Sequence, residues 1–303
     1  MWRGYHKYTP EYFQALATIP STLPTSSDAG VINSLRGPDN KPLFGLVLDG
    51  IVPESLIETI LSLSEKAGFE EALLNTGDVH QEKGVMDQGS RRSQRTVLHR
   101  TDLATDLWQL LEPYMPPCDV VPGPRWKHWV PVGVNPCLRV LRYSEGDLFE
   151  VHQDGSYSNR VSSKSSKSSK SSEKDAHDGK PGGEQEQEQE QEQEQEQEQE
   201  ELQKSFLTLQ VYLNHGGGRN FTGGGTRFFT SVGDGKAETK PTPECFETHD
   251  VVPRRGRVLI FQHNIWHEGE RVAEGTKLVL RTEIMFAKRE GKDGASTCTV
   301  VGP

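Results

Sequence analysis

Cysteine is scarce. Four residues in 303, Cys118, Cys137, Cys245 and Cys298, are scattered without a Cys-x-x-Cys pair. That excludes a zinc-finger or dithiol redox centre, and in a chain without a secretory signal it makes reduced thiols the default. The opening Met1–Tyr8 lacks the apolar core of a signal peptide, and no apolar run approaches the roughly 20 residues of a membrane span. A soluble intracellular protein, cytoplasmic or nuclear, with no membrane partner is therefore expected. Clusters of Lys and Arg interleaved with aromatics are also missing, so no nucleic-acid partner is expected. Apolar residues are few, at 33%, and much of the deficit falls in one tract, 158–204. The formal charge of −10 is matched by the ten glutamates between Glu184 and Glu201 alone.

That tract holds a Ser-Ser-Lys repeat, a Gly179-Lys-Pro-Gly-Gly183 joint and a Glu-Gln alternation running to Glu200. Neither repeat has an apolar face to bury, which predicts a solvated insertion, disordered or partly helical. Its place after residue 154 leaves a second reading, that it gates a site or recruits a partner. Residues 1–40, rich in Pro, Ser, Thr and Gly, read as a loosely structured lead-in. The remainder, 41–303, reads as one domain interrupted at 158–204. Within it, 52–68 repeats apolar residues at helical spacing (Leu56, Ile60, Leu63, Ala67), with Pro53 at its start and Gly68 at its end. A second helix fits 104–114. Strands are predicted at 43–48, 138–143, 148–154, 206–213, 226–230, 257–262 and 277–286. Many short strands after a helical first third predict a mainly β protein with supporting helices and a double-stranded β-helix, or jelly-roll, core.

His152 and Asp154 are two apart on a predicted strand and so point to one face. A histidine from a distant strand would complete a two-histidine, one-carboxylate facial set, which suits non-haem Fe(II) and leaves positions open for an oxo-acid and dioxygen. His267 is the leading third ligand, with His263 its rival by strand parity. Lys277, Val279 and Arg281 share one face of their strand, so either cation could hold a buried carboxylate. The glycines at 216–218 and 223–225 have no Walker lysine after them and read as tight turns. Asp250 and the aromatics from Trp126 to Trp129 read as structural.

Further residues carry a family likeness. His267-Glu-Gly269 is followed by Gly275-Thr-Lys277, the lysine ten residues after the histidine. Tyr143 stands nine before His152, Gly224-Gly225 leads into a strand, and Pro253-Arg-Arg-Gly256 precedes Val258-Leu-Ile-Phe261. Over roughly 40–287, with the tract excised, the chain resembles the prolyl 4-hydroxylase and lysyl hydroxylase branch of the 2-oxoglutarate oxygenases. The resemblance implies Fe(II) and 2-oxoglutarate as cofactor and co-substrate, O2 as oxidant, and ascorbate as a candidate reductant. It implies hydroxylation of a C–H bond in a protein side chain, prolyl or other, or in a small molecule, releasing succinate and carbon dioxide. His152, Asp154 and His267 would ligate the iron. Lys277, with a hydrogen bond from Tyr143, would hold the distal carboxylate, Arg281 being the second choice. Two other classes remain open: a catalytically silent module recruiting partners through its low-complexity arm, and a metal-dependent hydrolase using the same ligands on zinc. Lys277 separates the last, since a hydrolase needs no dicarboxylate anchor.

Overall fold

Eight strands carry the site: β1 (Cys137–Tyr143), β2 (Phe149–His152), β3 (Glu200–Tyr212), β4 (Thr226–Ser231), β5 (Phe246–Val251), β6 (Val258–Gln262), β7 (His267–Gly269) and β8 (Lys277–Lys288). They come from a computed structural model that describes residues 30–31, 43–72, 91–115, 129–162, 200–231 and 246–288. One antiparallel sheet runs β6-β3-β8-β1 and is extended by Gly45–Leu48 beyond β6 and by Gln94–His99 beyond β1. The smaller sheet runs β5-β4-β7-β2. The chain winds between the two sheets, β1 to β2 and back to β3, then β4 and β5 before β6, β7 before β8. This winding is a double-stranded β-helix.

Strand alternation separates two apolar layers on the larger sheet. Leu138, Val140, Leu207, Leu209, Val258, Ile260, Leu280 and Ile284 pack on the helix side. Leu141, Tyr143, Tyr212, Leu259, Phe261 and Val279 face the smaller sheet, against Phe228 and Val251. Two helices, α1 (Glu54–Ala67) and α2 (Thr101–Leu111), cover the helix side. α1 buries Ile57, Ile60 and Ser64 and lays Leu56, Leu61 and Leu63 against the same core, so of the expected apolar face only Ala67 is exposed. Each fully buried isoleucine there contributes about 1.5–3 kcal/mol. Among the described residues no helix is long and apolar enough to cross a membrane.

Several sequence expectations change. The strand expected over 148–154 ends at His152, because the Asp154 N–H donates to the His263 carbonyl at 2.8 Å rather than to a neighbouring strand. The insertion expected at 158–204 is narrower, since Ser158–Ser162 pairs antiparallel with Glu200–Lys204. A sheet edge needs only backbone pairing, so polar side chains suffice there. The remaining tract, 163–199, lies outside the described residues. So do the lead-in, apart from Gly30–Val31, which pairs with Leu46 and Val47, and Trp126, Cys118, Cys245 and Cys298. Trp129 packs edge-on against Phe206, and Cys137 is a half-buried free thiol. The glycine runs are turns and close approaches: Gly217, Gly218, Gly223 and Gly224 all have positive φ.

Gly275 shows why glycine is required before Lys277. Its φ is +81°, and a Cβ would sit 2.2 Å from the Asn220 carbonyl oxygen. Gly275→Ala is expected to lower stability by about 2–4 kcal/mol through the left-handed backbone and the clash. A urea melt with an unshifted midpoint would refute this.

Candidate metal centre

The smaller sheet sets the two histidines side by side. His267, the first residue of β7, pairs across the ladder with His152, the last of β2, and their ring centroids lie 4.3 Å apart. Asp154 reaches the same point from the loop after β2. One ligand atom from each of His152, Asp154 and His267 lies within 4.8 Å of the others.

Backbone contacts orient the rings. His152 Nδ1 is 2.7 Å from the Glu150 carbonyl and His267 Nδ1 is 2.9 Å from that of Ile265. Protonated Nδ1 atoms donating to those carbonyls leave the Nε2 lone pairs to face Asp154, at 3.5 Å from Oδ1 and 3.7 Å from Oδ2. His152 Nε2 is buried with no hydrogen-bond partner, an expensive arrangement unless something accepts its lone pair. Burial pushes His267 down to about 3, which keeps it a neutral donor. For Asp154, burial alone would raise the carboxyl; Arg281, His267 and His152 outweigh it and hold the group well below the usual carboxylate range. Two imidazoles and an ionised carboxylate converging on one point fit a divalent metal.

Arg281 Nη2 pairs with Asp154 Oδ1, and Thr208 Oγ1 donates to Oδ2. Sequence reasoning missed Thr208. The signal was available, because Leu207, Leu209 and Val211 fill the helix side and so turn Thr208, Gln210 and Tyr212 inward. His263 does not join the cluster. It is 7% exposed with neither ring nitrogen hydrogen-bonded, and a turn at 263–266 separates it from β7.

A narrow cleft runs from the triad to Lys277, lined among others by Tyr143, Phe149, His152, His267, Lys277 and Arg281. Phe149 stacks on the His152 ring at 3.6 Å. Lys277 is the Cα partner of Tyr143 and only 3% exposed. Its Nζ lies 5.1 Å from the Tyr143 ring and 5.6 Å from that of Tyr212, and it forms no ion pair among the described residues. Burial pushes it down to about 8, with the Glu270 carboxylate opposing. A larger cavity of about 240 Å³ lies between α2 and the strand Trp129–Val134, lined by residues such as Trp108, Asn135 and Tyr157. It contains no metal-ligand set, so the chemistry is sought at the triad.

A double-stranded β-helix with a His-x-Asp and a distant His converging inside it agrees with the fold and ligand set that the oxygenase resemblance implies. No protein-family model matches the sequence, and no curated protein matches it significantly. Solved structures do. A viral collagen prolyl hydroxylase from Paramecium bursaria Chlorella virus-1, bound to 2-oxoglutarate, is 15% identical over 80% of this chain and 96% of its own, with a TM-score of 0.41. A Pseudomonas putida prolyl-4-hydroxylase is 12% identical over 82% and 93%, with a TM-score of 0.43. HygX of Streptomyces hygroscopicus, holding nickel, 2-oxoglutarate and hygromycin B, is 16% identical over 80% and 82%, with a TM-score of 0.40.

Proposed function

We propose that this protein is an Fe(II)- and 2-oxoglutarate-dependent dioxygenase that hydroxylates an unactivated C–H bond of a protein side chain, prolyl or other, or of a small molecule. The observation that carries the reading is the three-residue cluster with a buried lysine beyond it, which forms no ion pair among the described residues. His152, Asp154 and His267 hold the iron. Lys277 binds the distal carboxylate of 2-oxoglutarate, and the Tyr143 hydroxyl donates a hydrogen bond to it. When bound, iron and 2-oxoglutarate together supply the oxidising power that inserts one oxygen atom of O2 into the C–H bond and leaves succinate and carbon dioxide.

The chain's own residues do the positioning. Arg281 and Thr208 occupy Asp154 from two sides and limit its rotation, so its carboxylate is preorganised for one metal position. Leu141, Val279 and Phe149 exclude water from the path between Lys277 and the triad. Among the described residues Lys277 forms no ion pair and lies beside two tyrosine rings, so it is poised for a dianion that supplies the missing partner. The zinc-hydrolase alternative gives that lysine nothing to do.

The test is anaerobic addition of Fe(II) and then 2-oxoglutarate to the metal-free protein. The charge-transfer absorption of a keto-carboxylate chelated to ferrous iron is expected, followed in air by succinate release, measured with and without ascorbate. Absence of the absorption at saturating iron and co-substrate would overturn the proposal.

A further inference from the structure

The concave face of the larger sheet does not close at the triad. Past β8 the larger sheet continues through β1 and the strand Gln94–His99, and Arg91, just before that strand, bridges to Phe149 of β2. On those strands Thr96, Leu98, Leu138 and Val140 are buried toward the helices, so alternation turns Arg95, Val97, His99 and Arg139 the other way. That side is open: Val97 is 39% exposed, and His99 is exposed.

Register lines up the arginines on this face. Arg281 of β8 is the Cα partner of Arg139 on β1. Arg139 in turn is the partner of Val97, and Arg95, two residues before Val97, is the partner of Leu141. Three guanidinium-bearing residues thus lie on three successive strands leading out from Asp154. Arg91 adjoins them, its Cζ 4.8 Å from the Phe149 ring that stacks on His152.

Negative charge does not keep pace. Arg281 pairs with Asp154, and Arg139 Nη1 with Glu283 at 2.8 Å, a carboxylate that also accepts from Asn135 Nδ2. Arg91 Nε has only the Ser93 hydroxyl, at 3.2 Å. Arg95 has no hydrogen bond or ion pair among the described residues; Glu70, across the edge ladder, is exposed and forms no ion pair with it. Burial, and next the Arg139 guanidinium, hold the Arg95 pKa below the ordinary arginine value, with Cys137 and Glu70 opposing.

We propose that this row is the substrate subsite, and that it selects an extended substrate carrying an anionic group, carboxylate or phosphate, near Arg95 and Arg139. This rests on the oxygenase reading for its chemistry but not for its binding. From β8 to the strand Gln94–His99 is two strand spacings, roughly 10 Å. The anion therefore sits about that far from the part of the substrate beside Arg281. At about 3.3–3.6 Å per extended residue, that matches an acidic residue some three positions from the target in a peptide, or the far end of a long-chain acid.

Binding to the metal-free protein, without 2-oxoglutarate, tests this. The probes are the peptide acetyl-Pro-Ala-Ala-Glu-amide with its Gln and Lys counterparts, and decanedioic acid with its diamide, titrated by NMR. At least one acidic probe is expected to bind about tenfold more tightly than its amide, the scale of one charge-assisted hydrogen bond. The ratio is expected to shrink with added salt and to fall toward one in Arg95→Gln and Arg139→Gln. Arg95→Gln keeps the test decisive if Arg139→Gln, which leaves the buried Glu283 with Asn135 as its hydrogen-bond partner, fails to fold. Whether the peptide or the alkyl acid binds identifies the source of the anion. A wild-type protein that prefers neither acid, or favours the Lys peptide, overturns the proposal, as does an acid preference that survives in Arg95→Gln. Acid preference in a protein that gives no charge-transfer absorption would instead refute the oxygenase reading and leave the subsite standing.

Discussion

His152→Ala is expected to lose the ferrous charge-transfer absorption while remaining folded. The ring is one of the three proposed protein ligands, and among the described residues its Nε2 has no hydrogen-bond partner. Removing a group that merely supports a ligand already costs about 10–100-fold in metal affinity, so removing a ligand is expected to cost at least about 100-fold. Folding survives because the ring is half-buried at the end of a strand, 19% exposed at the side chain, and its only hydrogen bond is to its own strand. Asp154→Asn makes the complementary test. It keeps the volume and an acceptor for Thr208 but strips the charge, which leaves Arg281 without its carboxylate. A loss of metal affinity is expected together with a lower melting temperature, since an uncompensated buried charge is destabilising. Full-strength absorption in His152→Ala, with circular dichroism unchanged, would refute the ligand assignment.

Lys277→Met is expected to bind 2-oxoglutarate more weakly and yet to be the more stable protein. Losing a charge-assisted carboxylate contact costs about 1.5–3 kcal/mol, a drop in affinity of roughly 10–100-fold, with iron still bound. The stability gain follows from burial. The ammonium is pushed down from 10.5 to about 8, and at about 1.4 kcal/mol for each tenfold change in proton affinity, holding it charged inside costs about 3 kcal/mol. Below pH 8 both folded and unfolded chains carry the proton, so the whole cost is present. Between pH 8 and 10.5 the folded chain has lost a proton that the unfolded chain retains, and wild-type stability rises with pH across that window. The advantage of Lys277→Met is therefore largest at pH 7 and gone above about pH 10.5. Denaturant melts at the two pH values check this. An unchanged 2-oxoglutarate affinity in Lys277→Met, alongside loss in Arg281→Gln, would move the anchor to Arg281.

The contrast between those two cations marks the limit of what periodicity conveys. Parity alone turned Lys277, Val279 and Arg281 to one face and left either cation free to serve a carboxylate. Only the folded chain occupies Arg281 with Asp154 and leaves Lys277 among tyrosines. His263 is similar: a straight strand would have aligned it with His267, but the backbone turns at 263–266. The strands Phe246–Val251 and His267–Gly269 were not foreseen either. The first exposes Glu247, Thr248, His249 and Asp250, and the second is three residues long, so neither shows an apolar alternation.

What the residues determined without a fold is what depends on neighbours a few positions apart: the alternation that makes strands, the helical spacing of α1, the glycine ahead of Lys277, and the pairing of His152 with Asp154. What only tertiary structure decided is which distant groups meet. The ladder between β2 and β7 joins two histidines more than a hundred residues apart, and the ladder from β8 through β1 to Gln94–His99 gathers arginines that are separate in sequence into one row. Those meetings depend on strand register and on how two sheets share a core. Both are long-range packing outcomes that no local pattern encodes.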